Sequence, residues 1–462
     1  MRLRLFNLAC WLLWLIGAGA LVWSATKSDA NQWIGSDIGW QWLLGRSLVQ
    51  GELDQQYTVA AGERWLAQGY QGKDLEQMTQ LLFRKGRERL PNPDGIDGPL
   101  YPPTAAFFFA PYGMLSPQQA HTVAVVAGLV VSAATALLFS SLMHAWGWSG
   151  LVALGLFCFP HQYTGILIGQ NHTYTLFLLT AGWWLNKRNK PLLAGIVWGL
   201  LVYKPVFLVA LALVPVALQR WKLLLGMFIS ALVLVLLTLP FTKGLEPWKR
   251  WMTVGQRASA MYELDRRWVW LSRDLSGLPR RAMWDPQSFT NEYRYLMQSE
   301  PAAPEVARTY LVKTGTRMQS PQWASMTGWL LLIGIAFVTL LVLWWRDEPD
   351  EADPLNVALL MTGSLWCVLH FMYYDQLAFA LPIALLIPTL GQRKRWWMIT
   401  FVILLSLLYF SSLMAFWHSA WWLLAMPFDA FVLLLLWLLL AVSAAFPGLS
   451  TKIWFFPSDY TP

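Results

Sequence analysis

The length of the apolar runs constrains this chain more than any other feature. A hydrocarbon core about 30 Å thick takes about 20 apolar residues in a helix to cross. Runs of that kind recur from one end of the sequence to the other. Only 13% of the residues are charged and 56% are apolar, whereas soluble domains carry roughly 25% charged residues. The chain therefore reads as an all-α polytopic membrane protein and not as a soluble domain. It holds 30 tryptophans, and many sit at run ends, such as Trp183–Trp184, Trp344–Trp345 and Trp396–Trp397. Amphipathic rings prefer the headgroup region, so these read as an aromatic belt.

The expected spans are 6–25, 119–143, 149–168, 172–186, 191–203, 205–218, 222–240, 326–345, 355–372, 376–390, 396–416 and 425–446. That makes about twelve transmembrane helices by the usual length rule. The first span lacks a cleavage site and reads as a retained anchor. Basic residues in short loops set the orientation: Arg2 and Arg4; Lys187, Arg188 and Lys190; Arg220 and Lys222; and Arg393, Lys394 and Arg395. All fall on one side, which the positive-inside rule makes cytoplasmic. This depends on 191–218 crossing twice.

The domain reading follows. Residues 1–25 form the first helix, and 26–118 an extracytoplasmic loop with amphipathic helices and a half-inserted segment. Residues 119–240 carry helices two to seven, 241–325 a basic extracytoplasmic loop, 326–446 helices eight to twelve, and 447–462 a cytoplasmic tail. Over 241–322, thirteen Lys and Arg face eight Asp and Glu. Much of the net charge of +8 therefore lies outside, which argues against nucleic-acid binding. Cys10, Cys158 and Cys367 all lie inside apolar runs, with no metal or disulfide spacing.

Polar interruptions carry the chemical interest. Ser36 can cap a helix whose first turn holds Asp37, followed by Ile38, Trp42, Leu43 and Leu44. That pattern suggests an amphipathic helix on the membrane surface. Asp37 either complements the helix dipole or stands at the outer face as a general base. Tyr101-Pro102-Pro103 forbids a regular helix, and the 104–111 run after it is too short to span. Gly169-Gln170-Asn171-His172 is a polar knot between two spans. It is either an ordinary turn or a source of amide and imidazole groups. Neither His172 nor His161 has a metal-ligand pattern.

Lys204, within Tyr203-Lys204-Pro205, interrupts an apolar stretch and must snorkel or find a partner. It is a candidate for a lipid-linked phosphate. The break His370-Phe371-Met372-Tyr373-Tyr374-Asp375-Gln376 gathers imidazole, phenol, carboxylate and amide. Arg266, Arg267, Arg280 and Arg281 in the second outer segment are candidate phosphate clamps. In the topology above, all these interruptions face outward.

The early outer Asp, Tyr-Pro-Pro, Gly-Gln-Asn and Lys-Pro resemble the pattern of glycosyltransferase family 87. The family belongs to the C-type superfamily of polyprenyl-phosphate-sugar-dependent glycosyltransferases and includes bacterial α-1,2-mannosyltransferases. The matching residues are Ser36-Asp37, Gly51 with Tyr57, Tyr101-Pro102-Pro103, Gly169-Gln170-Asn171, Ala194-Gly195 to Gly199 and Lys204-Pro205. A weaker echo lies at His370–Pro382. The chain departs from the pattern just after Asp37, in Gly39-Trp40-Gln41-Trp42, and in the long loop between Tyr57 and Tyr101.

The resemblance implies that Asp37 is the catalytic base of an inverting hexosyl transfer, with mannose the expected sugar. The donor would be a polyprenyl-phosphate sugar and the acceptor a glycan or glycolipid. Lys204, Arg266, Arg267, Arg280 and Arg281 would bind the donor phosphate. Tyr101, Gln170, Asn171, His172, His370, Tyr374 and Asp375 would position substrate. No cofactor is required by this reading, and divalent-metal dependence stays open. The expected location is a bacterial inner membrane with the active site facing the periplasm. A transporter or flippase of lipid-linked saccharides is the competing reading. It predicts charges near the middle of several helices, whereas here the polar residues group on one side. A non-catalytic envelope scaffold would need neither Asp37 nor Lys204.

Overall fold

The computed structural model describes residues 2–27, 37–79, 96, 98–264, 273–275, 278–279, 321–345, 353–414 and 428–450. Among these residues the chain is helical, and its one β feature is an isolated bridge between Thr58 and Ile96. Helices are the expected form where lipid offers no partner to backbone groups.

Among the described residues, six helical segments are long and apolar enough to cross a membrane: Arg2–Lys27, Pro117–Leu142, Trp221–Thr242, Met326–Trp345, Tyr373–Gln392 and Phe428–Ala445. A seventh follows if Trp146–Cys158 and Pro160–Leu167, bent by 67° at the break, count as one span. The protein is thus an all-α, multi-pass membrane protein. The remaining expected spans coincide with shorter helices: His172–Lys187, Pro191–Tyr203, Pro205–Ala217 and Arg395–Ser411, and Pro354–Trp366. Polar breaks and prolines shorten them. Lys204 stands between two short helices, and the second of these begins at Pro205.

The first helix shows how the bundle meets lipid. Cys10, Trp14, Ala18, Leu21 and Ala25 are buried, at helical spacing, while Leu12, Leu13, Leu15 and Ile16 are exposed. One face therefore packs and the rest presents apolar surface suited to acyl chains. By contrast, every residue from Leu355 to Trp366 is buried, so that helix is central. Of the cysteines, Cys10 is buried and Cys158 is exposed.

The tryptophan pairs divide between belt and core. Trp344 and Trp345 are exposed, as a belt requires. Trp183 and Trp397 turn inward instead. Trp183 stacks on Trp198 with centroids 6.4 Å apart. The Trp397 indole donates to Ser443 Oγ at 2.7 Å, which satisfies its N–H and permits burial.

Glycines let helices touch backbone to backbone near Asp37. A Cβ on Gly45 would lie 2.0 Å from the Phe109 carbonyl oxygen, and one on Gly113 would lie 2.2 Å from the Gly45 carbonyl carbon. The helix Asp37–Val49 thus crosses Ala105–Gly113 in direct contact. The second of these is the run expected to be half-inserted, and it is a nine-residue helix with Pro111 inside it. The Asp37 helix buries Ile38, Gly39, Gln41, Trp42, Leu43, Leu44, Gly45 and Ser47. That burial covers more than one face, so the helix sits within protein where its pattern suggested a surface position. Ser36 lies outside the described residues.

The polar segments around Asp54 and Leu100 and around Lys243 to Trp251 dock against each other. Lys243 pairs with Asp54 at 3.1 Å. Arg250 Nη1 donates to the Asp54 carbonyl at 2.9 Å, and the Trp251 indole donates to the Leu100 carbonyl at 2.9 Å. Trp251 and Arg250 lie on the helix Glu246–Leu264, so both segments share one side of the bundle.

Candidate active site

Asp37 occupies the first turn of its helix. The Ile38 N–H donates to the Ile168 carbonyl at 3.3 Å. One turn on, Gln41 Nε2 donates to the Gly169 carbonyl at 2.5 Å and to the Tyr101 hydroxyl at 3.4 Å. Gly169 has a φ of +75°, and a Cβ there would meet Ile38 Cβ at 2.6 Å. Both conformation and space therefore demand glycine. This turn delivers Gln170, whose side chain hydrogen-bonds the Asp37 carboxylate.

Burial raises the pKa of Asp37 from 3.8 to about 6. Loss of water favours the neutral acid, and the Lys204 charge and the Gln170 hydrogen bond oppose that only partly. A carboxyl poised near the operating pH is suited to take a proton from a hydroxyl.

Tyr101 is held from behind. The Tyr57 hydroxyl donates to the Tyr101 carbonyl at 2.5 Å, and the Tyr101 ring packs edge-on to Phe109 at 5.3 Å. Its phenol lies within electrostatic reach of Asp37.

Lys204 does not snorkel. Its Nζ donates to Asp375 Oδ1 at 2.5 Å, with the lysine side chain 11% exposed and the aspartate fully buried. The second oxygen, Oδ2, accepts the Met372 N–H at 3.0 Å. The ammonium also stands 4.7 Å from the Phe207 ring centroid and 5.5 Å from that of Tyr374. The partner that an intramembrane lysine requires is thus 171 positions away in the chain.

The histidines join the same cluster. His172 is buried against Gly165, where a Cβ would come within 2.1 Å of the ring. Its ring lies 6.2 Å from Tyr374, and the His161 ring lies 4.9 Å from Tyr373. His370 lies within electrostatic reach of Lys204. Asn171 is buried, and neither amide atom has a hydrogen-bond partner among the described residues.

Two members of this cluster, Arg273 and Asp429, fall outside the motifs of the sequence. Arg273 is buried and pairs through Nε with Asp429, at the start of the last long helix. Gln376 Nε2 donates to the same Asp429 oxygen at 3.0 Å. The Arg273 N–H donates to the Phe371 carbonyl at 2.6 Å. Tyr373 lies within electrostatic reach of Asp37, Arg273 and Asp375. Asp429 had a signal, a lone carboxylate at the edge of an apolar run. Arg273 had none that set it apart from the other cations of its segment.

The structure thus brings together Asp37, Tyr101, Gln170, Asn171, His172, Lys204, His370, Tyr374 and Asp375. Arg266, Arg267, Arg280 and Arg281 lie outside the described residues. Among the described residues, no three His, Cys, Asp or Glu side chains stand close enough to hold a metal ion.

The family model of glycosyltransferase family 87 matches residues 100–371. The match includes Tyr101, the Gly169–His172 turn, Lys204 and His370; Asp37 precedes it, and Tyr374 and Asp375 follow it. No curated protein and no solved structure matches the chain.

Proposed function

The chain belongs to glycosyltransferase family 87, and from that we propose that Asp37 is the general base of an inverting hexosyl transfer. The protein is a membrane glycosyltransferase acting on a sugar donor and an acceptor. In the proposed reaction, Asp37 takes the proton of an acceptor hydroxyl as its oxygen attacks the anomeric carbon of a polyprenyl-phosphate hexose. Mannose is the proposed sugar. The anomeric bond to the phosphate breaks, and the polyprenyl phosphate leaves with the electron pair. A phosphate departs without needing a proton, so one carboxylate suffices where glycosidases use two. Nearby cations stabilise the charge that develops on it.

The observation that carries this reading is the setting of Asp37. Its carboxyl is bonded by Gln170, faces the charge of Lys204 and has its pKa raised to about 6. Lys204 is proposed to meet the donor phosphate while keeping Asp375 as its counter-ion. The arginines at 266, 267, 280 and 281 are proposed to help. Tyr101, Asn171, His172, His370 and Tyr374 are proposed to position sugar and phosphate.

The same reading takes the fold to be that of the C-type superfamily, with about twelve crossings when the short helices span. In this reading the boundaries at 25, 118, 240 and 325 separate membrane from extracytoplasmic parts, and the one at 446 separates the last helix from a cytoplasmic tail. The site faces the periplasm of a bacterial inner membrane, and the docking of Asp54 onto Lys243 and Arg250 supports a common side for both loops. Transfer from labelled polyprenyl-phosphate mannose by membranes carrying Asp37→Asn is the test. Loss of transfer supports the base assignment, and full transfer removes it.

A further inference from the structure

The turn that brings Gln170 to Asp37 is held by its carbonyls. It follows the short helix Pro160–Leu167, and the last carbonyls of a helix find no partner within it. The turn closes two of them itself. The Gly169 N–H donates to the Ile166 carbonyl at 3.2 Å, and the Gln170 N–H to the Gly165 carbonyl at 2.7 Å. The next three are met from other elements. His121 Nε2, from the helix Pro117–Leu142, pairs with the Leu167 carbonyl at 2.8 Å. The Ile38 N–H meets Ile168 and Gln41 Nε2 meets Gly169. Two of these three donors belong to the helix that carries Asp37, so the turn is registered directly against that helix.

Gln41 does more than close a carbonyl. It is 2% exposed and stands at i+4 from Asp37, on the same helical face. A carbonyl oxygen only accepts, so the group facing Gly169 must be the NH₂ of the amide. The same nitrogen reaches the Tyr101 hydroxyl at 3.4 Å, and there the phenol oxygen accepts. The phenolic proton of Tyr101 is then left to be donated elsewhere. The helix itself has other anchors: the Gly45 crossing on Phe109 and the Trp42 indole, which donates to the Leu115 carbonyl at 3.0 Å. Loss of the Gln41 amide should therefore loosen the turn and Tyr101, not the helix.

We propose that Gln41 is a positioning residue for the transfer: one amide nitrogen sets the turn that carries Gln170 to Asp37 and makes Tyr101 a hydrogen-bond donor to substrate. The effect on rate rests on the assignment of Asp37 as base. The effect on the Asp37–Gln170 contact does not. Asp37 also faces Lys204 and Asp375 and the phenols of Tyr101 and Tyr373. Gln41→Met removes none of these groups.

The test uses the full chain in lipid nanodiscs. Infrared titration follows the Asp37 carboxyl, whose band is identified by its loss in Asp37→Asn, alongside steady-state transfer. Gln41→Met is expected to move the Asp37 midpoint upward by about half a pH unit or more, because a bond to the ionised carboxylate is weakened. Gln170→Leu should do the same, and the double variant should go no further than Gln170→Leu alone. Turnover by Gln41→Met is expected to fall about ten- to thirtyfold, as for two lost hydrogen bonds, with KM changed less than about threefold. Gln41→Asn, polar but too short to reach both partners, gives a second reading should Gln41→Met not reach the membrane. An unmoved Asp37 midpoint in the folded variants, or a shift that adds in full to that of Gln170→Leu, would overturn the proposal and leave Gln41 a structural contact only. Failure of the base assignment shows separately, as full transfer by Asp37→Asn.

Discussion

Lys204 and Asp375 form a nearly buried ion pair, Nζ to Oδ1 at 2.5 Å, between two polar breaks that are 171 residues apart in the chain. Each charge would be expensive alone in this setting. Together they place a cation on the side of the site that faces Asp37.

Removing one partner should therefore do more harm than removing both. Asp375→Ala leaves the lysine unpaired and is expected to cost about 3–5 kcal/mol of stability. The double variant Lys204→Met, Asp375→Leu is expected to recover most of that while remaining without transfer activity. Thermal unfolding in detergent together with a transfer assay checks both. Equal destabilisation by single and double variants would show that the pair does not act as a unit.

The pH dependence follows from Asp37. A base must be ionised, so the rate at low substrate should climb with pH through about 6 and level off above it. Stability should run the other way. The folded-state pKa is raised from 3.8 to about 6, so folding favours the protonated carboxyl. Its contribution is fully present below the ordinary value and is lost as pH rises through about 6. Asp37→Asn should then raise the melting temperature at pH 7.5 and leave it nearly unchanged near pH 3.5.

The crossing beneath Asp37 has no spare room. Gly45→Ala would drive a methyl group to 2.0 Å from the Phe109 carbonyl oxygen. A loss of about 1–3 kcal/mol is expected, as for other overpacked sites, with reduced turnover because the Asp37 helix must shift. Gly155→Ala, where nothing lies within 4 Å, is the control and should be silent in both melting temperature and rate.

Two further ion pairs should behave differently. Lys243 is 67% exposed in its pair with Asp54, and Lys243→Ala is expected to cost less than about 1 kcal/mol. Arg273 and Asp429 are both buried. Arg273→Met removes the buried cation that faces the Asp429 carboxylate, and a loss of about 3–5 kcal/mol is expected. Melting temperatures of the two variants, measured side by side, test the contrast.

Much of this site was readable before any coordinates, because membranes make polar residues conspicuous. Lys204 and the His370–Gln376 break stood out as interruptions of apolar runs, and so did Gln170 and Asn171. Their pairings were not readable. Nothing local links Lys204 to Asp375, since the contact depends on how distant helices pack. Arg273 was one cation among thirteen in its segment, and its burial against Asp429 depends on a contact 156 positions away in the chain. The Asp37 helix suggested a surface position because apolar side chains recur along it. Gly45 lets a second helix lie directly on its backbone, and that covers the other face.

The segment from Phe371 to Gln376 has a consequence for how tolerant the enzyme can be of change. Its Phe371 carbonyl receives the Arg273 N–H. Asp375 grips Lys204, and the adjacent Gln376 reaches the carboxylate that holds Arg273. The spacing of these few residues is therefore a ruler against which two positive charges from separate segments, Lys204 and Arg273, are set. Lengthening it by a single residue would displace both charges at once without altering either side chain.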